Sequence, residues 1–381
     1  MAHAARPGLW AFVIDNSLLL VAGTLAALIW ANTSPGSYEH FAHALHFAVN
    51  DVGMVFFFAI AVTEIVEATL PGGPLASVRQ AAVPLMAAVG GMIAPAALYA
   101  ALVMIAGRPE LMPGWAVPCA TDIAFSYLVA RLIFPPDHPA IPFLLLLAIA
   151  DDALGLLLLA VFYPSGPVSP LSFVAFMAPA IAVTVLMARR GVRSFWPYVL
   201  IGGGLSWTAL YLGGVHPALA LVPILPFMPR AARDRGLFDP SETTLTDTMN
   251  RFEHWWKVPV QVILGCFGLV NAGVPLGGLG AGSWMVLTSL LVGKPVGIVA
   301  TAALGVLLGL SAPGGLRYRE MVVVGVVAGI GFTVALFFAT AAFPPGPVLD
   351  EVKMGALLSF AGAPLAIGLG WLIVPRKRDG L

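Results

Sequence analysis

The sequence predicts an all-α polytopic membrane protein of about twelve transmembrane helices, with inverted repeats and two broken helices, in spans 4 and 11. Three observations lead there. Of the 381 residues, 59% are hydrophobic and only 10% are charged, with a mean hydropathy of +0.93, whereas a soluble domain carries about 25% charged residues. The apolar residues gather in runs close to the ~20 residues that cross a bilayer as helix. The 41 glycines and 32 prolines lie inside those runs, where membrane helices tolerate them because neighbours re-satisfy the backbone.

Hydropathy and helix breakers place spans near 17–31, 53–70, 82–106, 114–134, 141–163, 171–188, 195–212, 215–229, 258–275, 284–309, 321–343 and 354–374. The eighth is short and proline-rich. The first follows only Arg6 and is read as a helix rather than a cleaved leader. Cytoplasmic loops collect Lys and Arg, and this tests the count independently. With the N-terminus inside, all nineteen basic residues except Arg108, Lys353 and Lys294 fall on the inner side. They include Arg189, Arg190, Arg193, Arg230, Arg233, Arg235, Arg251, Lys257, Arg317, Arg319, Arg376, Lys377 and Arg378. One missed span would scramble that bias, so both termini are expected in the cytoplasm. The polar stretch from Arg230 to Lys257 reads as an inner loop. No separate soluble domain fits, and a single membrane domain is expected over residues 1–381. The zero net charge implies no nucleic-acid partner. Cys119 and Cys266 stand far apart, and no zinc, disulfide or cofactor pattern accompanies them.

Lys294 is the basic residue left inside a span. An ionisable side chain at the membrane midplane costs at least ~2.5–3.5 kcal/mol, so it usually faces a protein interior or a watery cavity. Asp122, Asp151, Asp152 and Lys294 are all expected near the centres of their spans, at one depth. Asp151 and Asp152 point ~100° apart on their helix and line neighbouring faces. Two close carboxylates in a poorly hydrated site repel, so one of them is expected to hold a proton near neutral pH. Deprotonated, the same pair offers hard oxygens to an alkali cation. Such a site holds protons or a cation, but not both, and can exchange one for the other.

Pro118 cannot donate its backbone bond and disrupts the helix just before Thr121 and Asp122. A matching breaker, Gly329-Ile330-Gly331-Phe332-Thr333, sits mid-span in the eleventh segment. Each broken span is the middle of a three-helix group, the pattern of an inverted-repeat transporter. Asp122 is expected to offset converging helix N-termini and Lys294 converging C-termini. Asp51 and Glu64 bracket the second span, with Glu64 towards the inner side. Glu64, His216, Glu253 and His254 are candidate pH-response groups, since histidine titrates between pH 5 and 8.

Once Thr121-Asp122, Asp151-Asp152, Lys294-Pro295 and Gly329-Ile-Gly-Phe-Thr333 are assembled, the chain resembles the NhaA-type sodium/proton antiporters from about residue 15 to 375. Further matching stretches are Asn50-Asp51, Leu75 to Ala82, Gly114 to Phe125, Gly214-Val-His216 and Asn271-Ala-Gly273. The resemblance implies that Asp152 is the main sodium ligand, with Asp151 its proton-carrying partner and Thr121 a further oxygen. Asp122 and Thr121 would serve the broken helices, and Lys294 would be the balancing cation. It implies a core bundle (about 82–163 and 284–374) moving against an interface bundle (about 17–70 and 171–275). It also implies electrogenic exchange of internal Na+ or Li+ for external protons across a bacterial inner membrane, with no cofactor. Two stretches depart from the family. Thr63-Glu-Ile-Val-Glu-Ala68 lacks the family's basic residues, and Lys257 stands in place of a second histidine. Both departures bear on pH regulation. The outer loop before Asp51 is too short for the family's β-hairpin, so a homodimer built on that hairpin is not carried over.

Other readings fit less well. Intramembrane aspartyl proteases place their carboxylates on separate helices, so no enzyme is expected. An open channel does not need charges gathered at one depth. A sodium-coupled symporter of an organic solute is the alternative, and it would not need Lys294 opposite an aspartate pair.

Overall fold

The computed structural model describes residues 17–70, 73–75, 77–230, 247–310 and 315–373. Among them every regular element is helical. In lipid each backbone N–H and C=O must be satisfied within the protein, and helices do this within one segment. The helices are α1 (Leu18–Thr33), α2 (Pro35–His46), α3 (Met54–Thr69), α4 (Val78–Ala106), α5 (Ile123–Ile133) and α6 (Ala140–Phe162). They continue with α7 (Pro170–Arg189), α8 (Gly204–Gly213), α9 (Thr248–Asn271), α10 (Ala281–Thr288) and α11 (Lys294–Leu307). The chain ends in α12 (Tyr318–Ala328), α13 (Phe332–Ala342), α14 (Pro347–Leu358) and α15 (Gly362–Ile373).

Several of these join end to end. α2 runs through a wide π-turn segment, Phe47–Gly53, into α3, and α10 runs through Ser289–Gly293 into α11. Six continuous helices among the described residues are long and apolar enough to cross a membrane. Two further pairs pass that test only together. The 3₁₀ helix Pro109–Cys119 meets α5 at a 55° bend, and α12 meets α13 at 51°. Large apolar side chains such as Ile105, Leu171 and Leu372 point outward, as a lipid-facing surface requires. Inside, α4 lies along α11, α1 along α9, and α7 along α8, while α12 packs between α11 and α15.

Three elements differ from the sequence expectation. The loop expected before Asp51 is α2, an amphipathic stretch with proline at its first turn, a favoured helix start. The ninth helix begins at Thr248, about ten residues earlier than hydropathy suggests, because the Asp247 side chain accepts a hydrogen bond from Asn250 N (2.8 Å) and caps it. Glu253, His254 and Lys257 therefore lie within α9 rather than in a loop. The eighth expected span is a series of 3₁₀ turns, Pro217–Leu219 and Leu225–Phe227. Pro217, Pro223, Pro226 and Pro229 remove the N–H groups that a continuous helix needs. Arg6, Arg233, Arg235, Arg376, Lys377 and Arg378, which enter the charge-bias argument, lie outside the described residues.

Candidate functional site

The two bent pairs meet at their bends. Asp122 N donates to Ile330 O (2.7 Å), joining one break to the other through the backbone. Close backbone packing explains both glycines, against the Ser289–Gly293 segment for Gly329 and against the other break for Gly331. A Cβ on Gly329 would stand 2.6 Å from Leu290 O, and one on Gly331 would stand 3.1 Å from Ala120 O. Pro118 closes the 3₁₀ helix, and the chain leaves it extended at Ala120 and Asp122 before α5 begins.

Each break exposes helix ends that need partners. Asp122 caps α5, where its Oδ1 accepts from Phe125 N (3.3 Å). Its Oδ2 accepts from Thr333 N (3.2 Å) and from the Thr333 hydroxyl, in the first turn of α13. One carboxylate thus stands between two helix N-termini, where the peptide dipoles favour a negative charge. Ser359 Oγ accepts from Phe332 N (3.3 Å). At the C-terminal end of α12, Ser126 Oγ donates to Val327 O (2.9 Å).

Lys294 is wholly buried at the start of α11. Its Nζ donates to Asp151 Oδ2 (2.7 Å) and to Cys119 O, the last carbonyl of the 3₁₀ helix. It therefore meets both a carboxylate and a helix C-terminus. Thr121, also fully buried, places Oγ1 2.7 Å from Asp151 Oδ2 and 3.0 Å from Ala328 O. A hydroxyl has one proton, so Thr121 donates to one of these acceptors at a time. Asp151 Oδ1 is buried and has no hydrogen-bond partner among the described residues.

Asp152 is half-buried and turned to the neighbouring face. It makes no hydrogen bond among the described residues and lines a small cavity with Asp151, Cys119, Ala120, Phe57, Phe58 and Phe338. About 20 Å³ there is open to the centre of a water-sized sphere, enough for a water or a smaller bare cation. The charges of Asp151, Asp122, Lys294 and Glu64 all act on Asp152.

The structure thus brings Thr121, Asp122, Asp151, Asp152, Lys294, Thr333 and the breaks at Pro118, Gly329 and Gly331 into one region. Glu64, on α3, belongs to its electrostatic surroundings. The other candidates stand apart. His216 Nδ1 accepts from Ala218 N (3.3 Å) and caps a 3₁₀ turn, with its ring 4.9 Å from that of Phe337. Glu253 is buried and His254 exposed on different faces of α9. The sequence reading missed Cys119 O, Ser126 and Ser359. A backbone carbonyl leaves no residue signature, and a serine in a membrane helix is common.

Bent helix pairs crossing beside buried carboxylates and a lysine are the construction of an ion-coupled secondary transporter. The chain belongs to the Na+/H+ antiporter 1 family, whose model matches residues 13–373. A Na(+)/H(+) antiporter NhaA of Geobacter metallireducens is 46% identical over 372 residues, covering 95% of this chain and 97% of the relative. That of Desulfitobacterium hafniense is 44% identical, covering 96% of each. That of a Jannaschia species is 45% identical, covering 97% and 99%. Among solved structures, the sodium proton antiporter MjNhaP1 from Methanocaldococcus jannaschii, at pH 8, superposes with a TM-score of 0.53 at 15% identity. It covers 94% of this chain and 92% of that one, a likeness of fold.

Proposed function

We propose that this sodium/proton antiporter binds its cation and its protons alternately at Asp151 and Asp152. The observation that carries the reading is the state of the two carboxylates. Asp151 is held by Lys294 on one oxygen with the other oxygen unpartnered, and Asp152 faces the cavity beside it. Sodium entering a buried site must replace its water with oxygens. Asp152, Asp151 Oδ1 and Thr121 Oγ1 supply them within one region. A cation there competes with Lys294 for Asp151 and with a proton for Asp152. One proton leaves Asp152 and a second leaves Lys294 once the cation displaces it from Asp151, so two protons exchange for one cation and exchange is electrogenic, with sodium or lithium leaving the cytoplasm as protons enter. The reading favours an antiporter over a symporter of an organic solute, in line with the Na+/H+ antiporter family that the chain matches and with Lys294 set against Asp151 beside Asp152.

The same reading gives twelve spans with both termini cytoplasmic in a bacterial inner membrane. The bent pairs are its broken fourth and eleventh spans. Each is flanked by long helices, α4 and α6 on one side and α10–α11 and α14–α15 on the other, as two inverted repeats require. These six spans form the core bundle, and α1–α3 with α7–α9 form the interface bundle. The test is Asp152→Asn in purified, reconstituted protein. Exchange is expected to vanish while insertion and folding persist. Sodium-driven proton flux near the wild-type rate would remove Asp152 from the site.

A further inference from the structure

In α4 the run Ala94-Pro-Ala-Ala-Leu-Tyr-Ala-Ala101 puts small side chains where a lipid-facing helix has room for large ones. Ala97 and Ala100 from that run line a groove of about 520 Å³. α6 contributes Leu154 and Leu158, and the 3₁₀ helix contributes Met112 and Cys119. Ile93, which also lines the groove, is exposed, so the groove opens on the outer surface of the protein.

Water is a poor occupant. A buried water needs two to four polar partners, and no charged residue lines the groove. The Cys119 thiol already donates to Met92 O (3.4 Å). The medium at this depth is hydrocarbon. An apolar cavity of ~150 Å³ takes a benzene-sized molecule, so this groove has room for something longer. From Met112 to Cys119 it follows seven steps of 3₁₀ helix at ~2.0 Å each, about 14 Å in all. That is close to half of the ~30 Å hydrocarbon core, the reach of a chain within one leaflet. Its Cys119 end lies at the depth of the helix crossing, since Cys119 O accepts from Lys294. In the proposed topology its Met112 end is the outer one. Lipid tails are as apolar as leucine, so no hydrophobic gain draws a chain in. Filling does, because an empty groove forfeits the dispersion contacts of its lining.

The inner end sets this groove apart from the rest of the lipid-facing surface. Met92 and Cys119 line both the groove and the small cavity of Asp151 and Asp152. They are only 8% and 2% exposed, and they form the layer between hydrocarbon and the ion site.

We propose that the groove binds one acyl chain of an outer-leaflet lipid, whose methyl end packs on Met92 and Cys119 and completes the wall of the ion site. The shape of that end then bears on exchange through the two side chains. This part in exchange rests on the antiporter reading above.

The test is photocrosslinking of the full chain in vesicles of phosphatidylethanolamine and phosphatidylglycerol. The vesicles carry a trace of phosphatidylcholine with a diazirine near the methyl end of one chain. Adducts mapped by mass spectrometry are expected at Met92 and Cys119 in greater yield than at Met104 and Leu157, although those are 68% and 59% exposed. A diazirine near the ester should move the adducts to Met112. In Ala97→Phe and in Ala100→Phe, whose rings fill the groove, the Met92 and Cys119 adducts should be lost while those at Met104 and Leu157 remain. Sodium-driven proton flux of the wild type should differ between vesicles of straight-chain and methyl-branched lipids, and both variants should lose that difference. Wild-type yields that simply follow exposure would overturn the site, whether a second copy or nothing covers the groove. So would Met92 adducts that survive in both variants. Wild-type flux indifferent to chain shape would overturn the part in exchange. A wild type with the groove adducts but no sodium-driven flux would overturn the antiporter reading, and with it that part alone.

Discussion

Asp122 and Asp151 are both buried carboxylates at the crossing of the bent helices, yet their surroundings differ in kind. Asp122 is satisfied by the protein alone. Three donors, from α5 and α13, reach its two oxygens, and two helix N-termini face it. Asp151 has Lys294 and Thr121 on one oxygen and, among the described residues, no hydrogen-bond partner on the other, with half-buried Asp152 next to it. A buried polar atom left without a partner costs about 1–3 kcal/mol. The first arrangement holds two half-helices together. The second leaves coordination open for something that comes and goes. On the proposed reading, the charge at Asp122 is structural, and those at Asp151 and Asp152 serve the transported ions.

The largest effect that can break this contrast is expected at Lys294. Lys294→Ala leaves Asp151 as an orphan charge and should cost about 3–5 kcal/mol of stability, read as a fall in thermal unfolding temperature in detergent. Removing both partners, with Asp151→Asn and Lys294→Gln together, should recover most of that loss. The double variant should retain weaker exchange through Asp152 with one proton per cycle. Its flux should then ignore an imposed membrane potential. A double variant as voltage-sensitive as wild type would show that the second proton travels elsewhere.

A smaller effect is expected at Asp122. Asn keeps one acceptor but turns an amide N–H₂ towards other donors, at a cost of about 1–3 kcal/mol. Exchange by Asp122→Asn should remain electrogenic, with sodium affinity within about tenfold of wild type, since 1.4 kcal/mol is tenfold. Electroneutral exchange in this variant would place Asp122 among the proton carriers and erase the distinction.

The residues of the crossing were legible because charge is rare in this chain. Asp151-Asp152, Asp122 and Lys294 stand out against apolar runs, and Pro118 and Gly329-Ile-Gly mark the breaks. The partners were less so. Lys294 was expected against converging C-termini, and it does meet Cys119 O, but its contact with Asp151 depends on how α6 and α11 are packed. Ser126, Ser359 and the capping role of His216 involve backbone groups, which every residue type carries alike. The helical stretch before Asp51 and the early start of α9 escaped a hydropathy reading because both are polar enough to pass for loops.

Competition between sodium and protons for one pair of carboxylates is the centre of this account, and binding measured against pH tests it most directly. Calorimetry on the purified protein, in buffers of different ionisation heat, gives both the sodium dissociation constant and the protons released per ion bound. Affinity is expected to weaken steadily from about pH 8.5 to about pH 6, with proton release on binding. A dissociation constant that stays level across that range, with no protons released, would contradict it.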